Sequence, residues 1–252
     1  MKRALTALAM TACLTLAATV AATTWGDSKQ KCPACGAEVA VQEIASYGSY
    51  VYQWPSKLQL LYWPMTDPRV LYFCPKCHLS LLMGDFKALP ADKLEAVRAA
   101  VARLKAEQPA LKEYWEVPMA YRLPLAEAAY TVLGRDDAFW ARFHRMAGYH
   151  LELSGKPELA RAARERALAA AERLIAAKAE APPLKENLIA KGSMLYLLGK
   201  KEEALAALQL AKGTPIEGKG FTDEQKKNGN KYLDDLAEEL TAKVKAGEPL
   251  PP

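Results

Sequence analysis

One tetrapeptide pattern occurs twice in this chain, first as Cys32-Pro33-Ala34-Cys35 and again as Cys74-Pro75-Lys76-Cys77. We call residues 32–35 the first knuckle and residues 74–77 the second knuckle. In a Cys-x-x-Cys turn both sulfurs can face one ion, and two such turns complete the tetrahedral four-thiolate shell that structural zinc prefers. Gly36 follows the first pair, where a positive φ is often needed, and His78 follows the second. The spacing predicts a structural zinc site with four ligands: Cys32, Cys35, Cys74 and Cys77.

Three other roles for these cysteines stay open at this point. In an oxidising compartment the thiols can form disulfides, within each pair or between the pairs. Four thiolates also suit iron, as in a rubredoxin-like site. The second knuckle together with His78 fits the Cys-x-x-Cys-His pattern that attaches c-type haem. Candidates for a sixth haem ligand are Met65, Met83, Met119, His144 and His150. Zinc is the favoured hypothesis, because haem would leave Cys32 and Cys35 without a role.

Residues 1–22 have the pattern of a secretory signal peptide. Lys2 and Arg3 precede an apolar run, which ends in small residues near Ala22, the expected cleavage site. The run is too short and too rich in alanine for a membrane span. Lipidation at Cys13 is a less favoured alternative, because the apolar run continues beyond that residue. We expect a periplasmic or secreted protein with no membrane span.

The charge pattern argues against nucleic-acid binding. The formal net charge is +5 over 252 residues, and basic residues are interspersed with acidic ones, as in residues 200–203, Lys-Lys-Glu-Glu. Such a pattern is typical of a solvated helix face, and no basic stripe interleaved with aromatic residues occurs. The sequence also shows no catalytic pattern. His144 and His150, for example, lack the spacing of a helical His-x-x-x-His pair. The sequence predicts a protein that is not an enzyme.

Composition divides the chain near residue 88. Residues 31–86 are rich in aromatic and β-branched residues, so we expect short hairpin-like strands that carry the two knuckles. From Pro90 onward, apolar residues recur three and four apart, which predicts helices, kept short early on by Pro118 and Pro124. The expected fold class is α+β, mostly α. We expect a small β-rich zinc-knuckle domain of rubredoxin or zinc-ribbon type at residues 23–88, a helical domain at residues 89–247 and a disordered tail at residues 248–252.

An internal repeat is visible in the helical half at a spacing of 44 residues. Nine positions match, from Gly148 to Ala167 and again from Gly192 to Ala211. Small residues let antiparallel helices approach closely, and Gly155 and Gly199 are expected to end the first helix of each pair. The pattern Gly-x-x-Leu-x-x-x-Gly-x-x-x-x-Ala resembles the tetratricopeptide repeat, although its period is longer than that family's. The sequence predicts antiparallel helical hairpins.

Residues 67–77 read Asp-Pro-Arg-Val-Leu-Tyr-Phe-Cys-Pro-Lys-Cys and run on to Gly84-Asp85-Phe86. Together with the first knuckle, this string is similar to the bacterial domain-of-unknown-function family 2225, over residues 31–212. The resemblance implies paired Cys-Pro-x-Cys zinc knuckles followed by a tetratricopeptide-like region, and it implies no established activity. His78 stands where that family more often has glycine.

These observations predict an exported, non-enzymatic scaffold that zinc stabilises. Its helical repeats are expected to bind a protein or peptide partner, with no nucleic acid involved. The alternative function is a periplasmic redox or c-type haem protein that uses Cys74, Cys77 and His78.

Overall fold

The computed structural model describes residues 24–47, 56–107, 113–180, 183–217 and 220–250. This part of the chain is mostly helical, with two small antiparallel sheets, and it confirms the predicted α+β, mostly α, fold class. The predicted signal peptide and Cys13 lie outside the described residues. Within the described ranges, no helix has both the length and the apolar character needed to cross a membrane.

Each knuckle forms the tip of a two-stranded hairpin. Strand β1 (Thr24–Lys31) pairs with β2 (Glu38–Ser46), and β3 (Leu71–Phe73) pairs with β4 (Ser80–Leu82). The sequence pattern does not predict β1, because Thr24–Lys31 is mostly polar and lies before the aromatic-rich segment. Pairing with β2 forms this strand, and Lys31 lies opposite Glu38 next to the knuckle. The predicted hairpin-like strands are therefore present, and β1 begins before the aromatic-rich segment in which strands were expected.

Seven α-helices follow the strands in the described chain. They are α1 (Leu94–Ala102), α2 (Met119–Leu133), α3 (Asp137–Leu153), α4 (Pro157–Ala176), α5 (Leu184–Leu197), α6 (Lys201–Lys212) and α7 (Asp223–Ala246). Pro118 is the N-cap of α2, as a helix-limiting proline should be, but Pro124 lies inside α2 and does not end it. The buried side chains of Leu123, Leu125 and Ala126 offset the lost backbone hydrogen bond.

The internal repeat is confirmed as a repeat of structure. Helices α3 and α5 end at Leu153 and Leu197, while α4 and α6 begin at Pro157 and Lys201, so both boundaries recur after 44 residues. The turns match as well, because the glycines that follow α3 and α5 have φ values of +65° and +80°. The hairpins α3–α4 and α5–α6 are therefore two copies of one unit.

Close contact between the helices of each hairpin depends on a second pair of glycines. A Cβ built on Gly148 would lie 3.0 Å from the side chain of Arg164, and one built on Gly192 would lie 2.8 Å from the side chain of Leu208. Arg164 and Leu208 are themselves equivalent positions of the repeat. The alanines predicted to face this interface are buried in both copies: Ala160, Ala163, Ala167, Ala204, Ala207 and Ala211.

The main buried cluster crosses the compositional boundary at residue 88. It contains the cysteines Cys32 and Cys74 of the knuckles and continues through Val97 of α1 and Tyr130 of α2 to Ala163 of α4. A second cluster joins α5, α6 and α7. Leu58 and Leu60, which lie between the two knuckles in sequence, belong to this second cluster. The domain limits at residues 23–88 and 89–247 stay a prediction, but the core on which the knuckles rest is shared with the helices.

The C-terminal residues pack against the helices through Leu250. The hydroxyl of Tyr196 donates a hydrogen bond to the carbonyl of Glu248 at 2.8 Å, and Leu250 is buried in the second cluster. The tail predicted to be disordered therefore has defined contacts at residues 248–250, because Leu250 supplies an apolar side chain that the cluster can bury.

Candidate metal centre

The structure brings all four predicted ligands together. The sulfurs of Cys32, Cys35, Cys74 and Cys77 all lie within 4.8 Å of one another. Cys32 Sγ is 3.6 Å from Cys77 Sγ, and Cys35 Sγ is 3.6 Å from Cys74 Sγ. Four thiolates around one tetrahedral zinc, at Zn–S distances of about 2.3 Å, are about 3.8 Å apart. The cluster can therefore hold a metal ion such as zinc.

The two knuckles share one backbone geometry. The N–H of Gly36 donates to the carbonyl of Cys32 at 2.9 Å, and the N–H of His78 donates to the carbonyl of Cys74 at 2.8 Å. Gly36 has a φ of +71° and His78 a φ of +65°, so each residue that follows a knuckle is left-handed. The identical turns present both sulfurs of each pair to the same point, which explains how sequence spacing alone can predict the cluster.

The sulfurs form one hydrogen-bonded set. The thiols of Cys32 and Cys77 lower the pKa of Cys74 to about 2, aided by the backbone N–H groups of Cys77 and Lys76. The hydrogen bond with Cys74 is the main cause that raises the pKa of Cys32 to about 12. A second, third and fourth negative charge in this space would repel one another, so a bound cation is what allows all four groups to ionise.

Two cationic side chains from the α1 region contact equivalent carbonyls of the two knuckles. Arg98 Nε of α1 donates to the carbonyl of Ala34 at 2.7 Å, and Lys105 Nζ, just after α1, donates to the carbonyl of Lys76 at 3.1 Å. Ala34 and Lys76 each occupy the third position of their knuckle. A four-thiolate zinc site carries a net charge of −2, so positive charges here are favourable to the loaded centre.

His78 links the second knuckle to helix α2. Its Nδ1 lies 2.6 Å from the hydroxyl of Tyr121, and its ring packs 5.2 Å from that of Phe73. Burial is the main cause that lowers the pKa of His78, followed by the positive charge of Lys105. The contact with Tyr121 gives a physical reason for a histidine at the left-handed position that glycine occupies after the first knuckle.

Haem attachment requires a different use of the same residues. Cys74 and Cys77 would bond the macrocycle and His78 would ligate its iron. In the structure the two thiols face Cys35 and Cys32 at 3.6 Å, and the ring of His78 bonds Tyr121. This arrangement favours one shared metal ion over haem. The same 3.6 Å separations are well beyond an S–S bond of about 2.05 Å, and the four cysteines are free.

The histidines considered as further haem ligands are buried elsewhere. His150 Nε2 lies 2.8 Å from the carbonyl oxygen of Met65, and His144 stacks on Trp140 with ring centroids 5.1 Å apart. Burial is the main cause that lowers the pKa of each to about 4. Their surroundings are those of neutral core histidines.

The buried Arg122 of α2 fixes the segment behind the second knuckle. Its guanidinium donates to the carbonyl of Val117 at 2.7 Å and of Pro68 at 2.9 Å, and also to those of Leu71 and Trp115. One side chain thus ties the start of β3 to the entry of α2. Such a full set of acceptors is what lets a charged group stay buried.

Sequence reasoning identified the four sulfurs but missed Arg98, Lys105, Tyr121 and Arg122. These residues reach the knuckles, or the segments beside them, only through tertiary packing, and no local spacing marks them.

Comparison with protein-family models, with curated proteins and with solved structures finds no match to this chain.

Proposed function

We propose that this protein is an exported, non-enzymatic scaffold in which one structural zinc ion joins the two knuckles, and whose helical hairpins bind a protein or peptide partner. The observation that carries the proposal is the closed four-cysteine cluster. Four protein ligands complete the tetrahedral shell, so no coordination position is left for a substrate or a reactive water. The ion therefore serves folding, not catalysis.

The surroundings of the cluster support a structural ion. Cys32 and Cys74 are almost fully buried, and the same core continues into helices α1 to α4. Within the described residues, the cysteines are the one group of three or more His, Cys, Asp or Glu side chains placed to hold a metal ion. Binding the ion would thus stabilise the knuckles and, through the shared core, the position of the helices.

Partner binding is assigned to the hairpins because they carry exposed leucines. Leu153 and Leu159 lie on either side of the turn of the first hairpin, with 55% and 51% of their surface exposed, and Leu210 of the second hairpin is 58% exposed. The centre of a protein interface is apolar, and these leucines supply apolar side chains on a rigid element. Export rests on the signal-peptide pattern of residues 1–22.

The test is photo-crosslinking of the mature protein in its native exported compartment. We expect a saturable partner that the Leu153→Ser/Leu159→Ser variant loses, while its metal content and melting temperature match those of the wild type. Leu104→Ser, which changes an exposed leucine outside both hairpins, is the matched control and should keep the partner. The absence of any saturable partner would contradict the interaction function, and retention by the double variant would contradict the surface assigned to it.

A further inference from the structure

A cavity of about 510 Å³ lies between the start of α3 and the start of α5. Three arginines line it, Arg135, Arg142 and Arg145, together with Asp136 and Glu186. The other lining residues are small or apolar. No cysteine lines this cavity. Some of its charged side chains have a partner of opposite charge or a hydrogen bond, and others do not.

Two of the five charged groups are already paired or used. Arg135 forms an ion pair with Asp85 at 2.9 Å and lies over the rings of Tyr130 and Phe139. Asp136 accepts the N–H of Phe139 at 2.8 Å as the N-cap of α3. Asp136 keeps its negative charge, but Glu186 is the carboxylate whose charge acts on both Arg142 and Arg145.

Arg145 is the unusual group in this set. Only 7% of its surface is exposed, and its Nε donates to the carbonyl of Ala141 in its own helix at 3.1 Å. Its Nη1 is buried without a hydrogen-bond partner, and within the described ranges no carboxylate lies within ion-pair distance of the guanidinium. A buried cation with an unused donor is costly unless an anion compensates it.

The first turn of α5 adds to the positive character of the cavity. Its N-cap is Pro183, which makes no capping hydrogen bond through its side chain, so the first-turn N–H groups lack that acceptor. Glu186 of this turn lines the cavity, and burial raises its pKa, which shows a carboxyl group whose charge is disfavoured there. Glu186 is therefore an imperfect counter-ion for the two arginines.

We propose that this cavity is a binding site for a small oxyanion, a carboxylate or phosphate group, held by Arg142 and Arg145. Arg142 is exposed and reaches the ligand from the rim, while Arg145 supplies the buried charge. A guanidinium matches either oxyanion through paired N–H donors. Glu186 competes with the ligand for the same donors. This site is independent of zinc and of the proposed partner surface.

Isothermal titration calorimetry with inorganic phosphate and, separately, with succinate tests the site, at constant ionic strength set with sodium chloride. We expect saturable binding of at least one of them at one per chain, and which one binds distinguishes phosphate from carboxylate ligands. Arg142→Gln and Arg145→Gln should each weaken binding about tenfold, as for the loss of one charged hydrogen bond. Arg161→Gln, an exposed arginine of α4 paired with Glu165, is the matched control and should bind as the wild type does.

Glu186→Gln gives a result that a purely structural charge cluster does not. Removing the competing carboxylate should tighten binding several-fold, and weaker binding in this variant would overturn the proposal. The absence of saturable binding for both anions, or equal binding by Arg142→Gln and the wild type, would also overturn it. Because Arg142 is exposed, its variant keeps the test decisive even if Arg145→Gln fails to fold.

Discussion

Arg98 of helix α1 donates its Nε hydrogen to the carbonyl of Ala34, 2.7 Å away, although the two residues are 64 positions apart in sequence. Ala34 lies between the two cysteines of the first knuckle. The contact places a permanent positive charge beside the cluster and fixes the turn that presents Cys32 and Cys35. Lys105 does the same at the equivalent carbonyl of the second knuckle. Helix α1 and the residues just after it thus support both halves of the candidate metal centre.

Removing these cations should weaken metal binding. We expect Arg98→Ala and Lys105→Ala to lower the zinc affinity by about 10-fold each, the smaller end of the range for groups that support metal ligands. Arg103→Ala is the matched control, because Arg103 is exposed in the same segment. Competition titration with a chromophoric chelator measures the affinities. Equal affinities for all three variants and the wild type would show that α1 does not support the centre.

Replacing His78 by glycine separates a metal centre from a haem site. Gly36 shows that glycine adopts the left-handed turn, so His78→Gly should keep one metal ion per chain and lose only the side-chain contacts with Tyr121 and Phe73. His78→Ala should be less stable than His78→Gly by about 1 kcal/mol, since a Cβ is strained at this φ. Metal analysis and chemical denaturation measure both effects. Loss of the bound cofactor in the glycine variant would instead favour the haem interpretation.

The hairpin repeat should be sensitive to one added methyl group. A Cβ at position 192 would lie 2.8 Å from Leu208, so Gly192→Ala should destabilise the protein by about 1 kcal/mol despite the better helix propensity of alanine. Gly213→Ala is the control, because its nearest contact would be an ordinary 3.7 Å. Urea denaturation gives both values. A more stable Gly192→Ala variant would show that the helices do not approach as closely as described.

His144 should make the fold sensitive to acid. Its pKa is about 4 in the folded state, mainly because of burial, and about 6.5 when unfolded. Between pH 6.5 and pH 4 the unfolded chain binds a proton at His144 that the folded chain does not. The free energy of unfolding therefore keeps its full value above pH 6.5 and falls by up to about 3 kcal/mol towards pH 4. His144→Phe should remove this contribution, which denaturation at pH 7 and at pH 5 can measure against the wild type. An identical loss of stability on acidification in both proteins would contradict the assignment.

Local spacing explains which features the sequence could predict. Two cysteines three residues apart define a knuckle within one turn. Gly155 and Gly199 mark matching helix ends 44 residues apart. Both features can therefore be predicted from the sequence without tertiary information. Strand β1 is different, because its mostly polar residues become a strand only through pairing with β2. The positions of the cations beside the knuckles and of the buried Arg145 could not be predicted from the sequence either, because charged residues on amphipathic helices usually face water.

Metal content and hydrogen exchange of the wild-type protein and of Cys74→Ser test the central claim most directly. We expect one zinc per chain in the wild type and none in the variant, with faster exchange in the knuckles and in α1 and α2, which share their core, and near-normal exchange in α5 to α7, which have their own. A haem spectrum in the wild type, or unchanged metal content and exchange in Cys74→Ser, would contradict the structural metal centre.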